Sequence, residues 1–182
     1  MAKEKSKDSI IRVAAEVGAK MALEVYAKEK EKERKARIDR RLRDTKRLMR
    51  NYREIKIHAG DAIASLSEVT QEDFEFFKDL MENEDRIDVS AIVRSKARSA
   101  IMLAHIDAML KAYQIICFTS KKPEDARRYR VLEAMYLKDE PDQVNDIAER
   151  ENIDVRTVYR DLDIACEKMS ALLFGIQWIE RD

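Results

Sequence analysis

Arg156 and Arg160 stand four residues apart, which on a helix means one turn and one face. A guanidinium is a planar, always charged fork of five donors with no acceptor. Two such forks in line suit the paired acceptors of a guanine edge, where one bidentate contact gives ~1–3 kcal/mol of discrimination. Val155 offers the apolar contact that a thymine methyl accepts, and Tyr159 adds a ring and a hydroxyl. Thr157 adds a hydroxyl suited to a phosphate oxygen. These types and spacings point to base readout by Val155, Arg156, Tyr159 and Arg160, with Thr157 on the phosphate backbone.

Such side chains need a helix that can enter a groove. Val144 to Asp163 reads as a helix-turn-helix, with a first helix over about 143–151, a turn at Asn152-Ile153-Asp154 and a second helix from Val155. Ile147 and Ala148 face inward, and the small Ala148 allows a close crossing. Asn152 suits the left-handed turn position, Ile153 the corner, and Asp154 the N-cap of the second helix. Val158, Leu162 and Ala165 recur at helical spacing and bury one face. The recognition helix would then span about 155–170, its N-terminal part in the major groove. The bland alternative is a plain structural helical hairpin.

The preceding stretch frames this pair. Thr119 to Pro123 reads as a linker, Pro123 as a first-turn residue, and 124–137 as a helix burying Tyr129, Leu132, Met135 and Tyr136. Its Arg127, Arg128 and Arg130, with Lys121 and Lys122, are candidate phosphate anchors. One feature opposes binding: residues 121–182 carry 11 basic and 15 acidic side chains, a net of −4. A second module in a dimer, a basic arm elsewhere in the chain or an RNA polymerase partner would have to offset that charge. Asp161 and Asp163 suit a protein contact.

Upstream, the charge is unevenly spread although the whole chain is neutral. Residues 28–56 hold 14 basic against 6 acidic residues, net +8; residues 61–92 hold 2 against 10, net −8. The basic face of Arg40, Arg41, Arg43, Lys46, Arg47, Arg50 and Arg53 reads as a phosphate-contacting arm, or as a face that is solvated or docks on the acidic segment. The second reading is slightly preferred.

With 40% charged residues, 3 Gly and 2 Pro in 182 residues, an all-α chain is expected. The expected regions are an extended, partly basic helical arm at 1–60, a helical middle and oligomerisation region at 61–120, and the helix-turn-helix domain at 121–182. Ser9 would cap a helix from Ile10, with Ile10, Ile11, Ala14, Val17, Met21 and Val25 as an apolar stripe. The charged run 27–37 would be a solvated helix or a spacer, and the stripe from Ile38 to Ile55 is coiled-coil-like. Gly60 would end that helix. Thr70 to Asp73 resembles a capping box opening a helix with Phe74, Phe77, Leu80 and Met81 inward. A spine helix over 90–118 would carry a broad apolar surface of Ile92, Ala97, Ile101, Ala104, Ala108, Leu110 and Ile115, wide enough for more than one neighbour. Gly175 would stop the last helix, Ile176 and Trp178 would fold back on the core, and no C-terminal wing is expected.

Other chemistry finds no support. There is no Ser/His/Asp set, phosphate loop or metal-ligand spacing, so no enzyme, catalytic residue, metal or cofactor is expected. His105 on the spine reads as structural. Cys117 and Cys166 read as buried thiols, which suits the cytoplasm. No signal peptide and no membrane contact are expected.

Three stretches carry a family resemblance: Arg94 to Asp107, Arg128 to Tyr136, and Arg156 to Asp163 followed by Leu172-Leu-Phe-Gly175. Together they resemble small helical proteins of prophages and mobile elements of Firmicutes, similar to the ArpU and RinA late-transcription regulators. The C-terminal part resembles region four of bacterial sigma factors, and Thr157 to Asp161 also resembles DeoR-type regulators. The resemblance implies a sequence-specific regulator that binds double-stranded DNA, with RNA polymerase as a further partner and a homo-oligomer, preferably a dimer, as its form. It does not imply promoter melting. The alternatives are a helical scaffold or assembly protein, or a DNA-recognition subunit for phage packaging.

Overall fold

The computed structural model describes residues 2–60, 69–82 and 87–175, with side chains from Glu16 onward. Among the described residues every regular element is helical. In chain order these are α1 (Ala2–Arg50), α2 (Tyr52–Ala59), α3 (Gln71–Glu82), α4 (Val89–Val93), α5 (Lys96–Thr119), α6 (Pro123–Leu132) with a π-helical turn at Glu133–Leu137, α7 (Val144–Arg150) and α8 (Val155–Phe174). The chain divides into two compact units, Met1–Asp39 and Arg40–Asp182.

The first unit is a single helical rod. It starts at Ala2, so Ser9 lies within it rather than capping it; Ala, Lys and Glu around it are all good helix formers. The charged run is helical and carries local pairs, with Arg34 bidentate on Glu31 at 2.8 and 3.0 Å. Val17, Met21 and Val25 are exposed, as are Leu23 and Tyr26. Ile10, Ile11 and Ala14 lie outside the described side chains.

The second unit is organised on α5. Ser99, Ala100, Met102, Leu103, Ile106, Leu110, Tyr113 and Cys117 are its buried residues, and α2, α3, α4, α6 and α8 all pack on it. The expected broad apolar surface does meet more than one neighbour, while Ala104, Ala108 and Ile115 within it are exposed. A helix apolar on every side does not announce which side turns inward. The spine is also broken before α5. Ser95 adopts an extended conformation and its hydroxyl caps the Arg98 amide at 3.3 Å, while Asp88 caps α4 at Ser90.

Local signals were otherwise followed. Gly60 ends α2 with φ +59. Thr70 and Asp73 form the reciprocal capping box, amide to side chain in both directions. In α3, Phe76 and Phe77 turn towards the core and Phe74 is exposed, contrary to the expected facing of Phe74; Phe76 is held under the Arg98 guanidinium at 4.1 Å. Pro123 occupies the first turn of α6. Ile176 and Trp178 lie outside the described residues.

The basic face of residues 40–56 works mostly inside this unit. Arg41 donates to the Met81 carbonyl at 2.7 Å and Arg47 to that of Ile87 at 3.0 Å. Arg53 donates to the Lys138 carbonyl at 3.1 Å and reaches that of Met135. Lys56 pairs with Asp139 at 2.9 Å. A helix end leaves several carbonyls without partners, and a guanidinium satisfies them where no further turn can.

Candidate functional site

The pair α7 and α8 is joined by a turn with a defined geometry. Asn152 adopts φ +52, the left-handed region, and among the described residues it is the one non-glycine there. Its amide donates to Glu149 O at 3.1 Å and the Ile153 amide to Ala148 O at 2.9 Å. That pair of bonds is a Schellman termination, which needs a residue tolerant of positive φ. Asp154 then opens α8: its carboxylate accepts from the Thr157 amide and, on its other oxygen, from the Thr157 hydroxyl, each at 2.8 Å. The Thr157 hydroxyl is first among the causes that hold this carboxyl below its usual range. Thr157, expected as a phosphate contact, thus spends its hydroxyl proton on the cap.

Ile147 and Ala148 of α7 and Val158, Leu162, Ala165, Cys166 and Met169 of α8 are buried. This fixes which way the other side chains of α8 face. Val155 and Tyr159 are 39% and 51% exposed, and Arg156 and Arg160 are exposed beside them. Among the described residues neither guanidinium has a hydrogen-bond or ion-pair partner. The four residues expected to read bases therefore share the solvent side of the first turns of α8.

The arginines of α6 are arranged differently. Arg127 Nε donates to Asp161 Oδ2 at 2.6 Å, and Arg128 Nε lies 3.6 Å from Asp161 Oδ1 while its Nη1 donates to Asp125 at 2.6 Å. Asp161 is fully buried, which corrects its assignment as an outward protein contact. Three residues after Val158, it falls on the same inward side of the helix. Arg130 forms a bidentate pair with Glu151 at the end of α7, with Nη2 to Oε2 at 2.6 Å. The Asp161 bond raises the Arg127 guanidinium and the Arg130 bond lowers the Glu151 carboxyl from their ordinary values. So α6 is tied to both members of the pair by ion pairs, and Arg127, Arg128 and Arg130 meet carboxylates of the chain itself. Lys121 and Lys122, just before α6, are exposed.

One neighbour of α8 gave no sign in the local sequence. Lys46 of α1 pairs with Asp163 at 2.7 Å across 117 positions. Cys166, one turn on, is buried and its thiol is pushed up to about 12 by that burial; Lys46 and Arg50 are the cations near enough to oppose the shift. Cys117 is buried and also raised by desolvation. His105, by contrast, is placed by packing: its Nε2 meets the Leu173 carbonyl at 3.2 Å and its ring meets the edge of Phe77.

Compared with models of known protein families, with curated proteins and with solved structures, the chain matches none.

Proposed function

We propose that this chain binds double-stranded DNA in a sequence-specific way, with α7 and α8 acting as a helix-turn-helix and the start of α8 entering the major groove. The observation that carries the reading is the unpartnered pair Arg156 and Arg160, exposed one turn apart on a helix whose start is fixed by a Schellman turn and a carboxylate cap. Val155 and Tyr159 beside them supply apolar and aromatic contact. The ion pairs from α6 make the presentation rigid, which a base-reading helix needs because a bidentate contact tolerates little misplacement.

In this reading the protein is a non-enzymatic transcription regulator of a phage or mobile element, cytoplasmic, with RNA polymerase as a further partner. The resemblance of its residues to late-transcription regulators and to sigma region four supports that role. Selection of bound duplexes from a random pool tests it: a recurring sequence is expected, and a pool that stays random counts against it.

An assembly or packaging role is the second reading, favoured by the exposed Val17, Met21 and Val25 on the N-terminal rod. These recur every four residues, and apolar side chains in such a row are stabilised when a partner helix covers them. Sedimentation of the full chain should show self-association that Met21→Glu weakens. A monomer throughout the micromolar range contradicts that expectation.

A further inference from the structure

The net charge of the C-terminal module is −4, and its α6 arginines already face carboxylates. Phosphate affinity beyond what the exposed Lys121 and Lys122 supply must come from cations elsewhere. The face of α1 from Arg40 to Arg50 supplies them selectively. Arg41 and Arg47 are bound to backbone carbonyls. Arg43 and Arg50 are exposed and, among the described residues, have no carboxylate within ion-pair reach. They sit seven residues apart with Lys46 between them, a row about 10 Å long on one side of the helix.

The row meets α8 through Lys46, and two contacts set the direction of α1 along it. Arg41 stacks over the Phe174 ring at 4.5 Å, and Lys46 meets Asp163 at 2.7 Å. Moving forward along α1 therefore means moving back along α8, towards Tyr159 and Arg160. Arg50, one turn beyond Lys46, continues that course, and Arg53 beyond it already touches the turn after α6. Of the free cations of α1, Arg50 is thus the one set towards the start of α8, and Arg43 lies farther back along it.

We propose that Arg43, Lys46 and Arg50 form a phosphate-binding ledge that grips the DNA backbone beside the groove occupied by α8. The inference rests on the DNA-binding reading above. It gives α1 a role that carries affinity but no sequence information, because phosphates are the same in every duplex. Asp163 moderates the ledge by holding Lys46.

The test uses the full chain, a duplex recovered by selection and an unrelated duplex of equal length, with affinity measured over a range of salt. For Arg43→Ala/Arg50→Ala the slope of log affinity against log salt should become shallower by about 2. Affinity for both duplexes should fall by the same factor, leaving the preference between them intact, and Arg43→Lys/Arg50→Lys should restore the slope. Asp163→Asn, which releases Lys46, should tighten binding to both duplexes. An unchanged slope in Arg43→Ala/Arg50→Ala, with the preference retained, overturns the ledge and leaves the DNA-binding reading standing. No binding of either duplex by the parent chain overturns both.

Discussion

Asp161 of α8 is fully buried and accepts a 2.6 Å hydrogen bond from Arg127 Nε of α6. The two residues are 34 positions apart, and their pairing clamps the helix that carries Arg156 and Arg160 to the helix in front of it. A buried carboxylate is tolerable only with such a partner, since removing one member strands the other. Asp161→Ala should therefore destabilise the chain by about 3 kcal/mol, a typical cost of breaking a buried pair. In urea unfolding, Arg127→Ala/Asp161→Ala should lose less than the two single variants added together. Strict additivity would mean that the clamp has no energetic reality.

Glu151 and Arg130 tie α6 to the end of α7 nearer the surface, where ion pairs are worth less. The Arg130 guanidinium holds the Glu151 carboxyl below its usual range. A depressed carboxyl contributes its stability above its unfolded value and loses it as pH falls through the folded value. Glu151→Gln should cost at most about 1 kcal/mol at neutral pH. The difference from the parent should shrink as pH drops below about 4. A difference that grows on acidification would contradict the assigned sign.

Asn152 holds a left-handed conformation that most side chains adopt only at a cost of roughly 1–2 kcal/mol. Thermal unfolding should find Asn152→Gly close to the parent and Asn152→Val clearly less stable. Equal stability of the two would mean that the turn does not demand positive φ.

Features that act locally are legible in the sequence. Asn152, Asp154, Pro123 and the Thr70–Asp73 box act within one turn of their own position, so type and spacing reveal them. The inward row of Val158, Leu162 and Ala165 was likewise local, and with it the outward placing of Arg156 and Arg160. What sequence did not reveal was partnership over distance. Arg127 and Arg128 look like free cations until Asp161 is found beneath them, and Lys46 gives no hint of Asp163. Asp161, expected at a protein contact, gives no sign of its burial, because a carboxylate is rarely buried without a partner in view. On α5 the apolar residues surround the helix, so its buried side was a matter of which neighbours arrive, and Ser95 broke the spine by capping it.

The proposed function requires Arg156 and Arg160 to read DNA. The direct measurement is a fluorescence anisotropy titration of a selected and an unrelated duplex with the parent chain and Arg156→Ala/Arg160→Ala, alongside circular dichroism. Unchanged helicity is expected, with loss of the preference for the selected duplex by roughly 30-fold or more, as two bidentate contacts at ~1–3 kcal/mol each imply. A variant that keeps its fold and still prefers the selected duplex as strongly as the parent would contradict it.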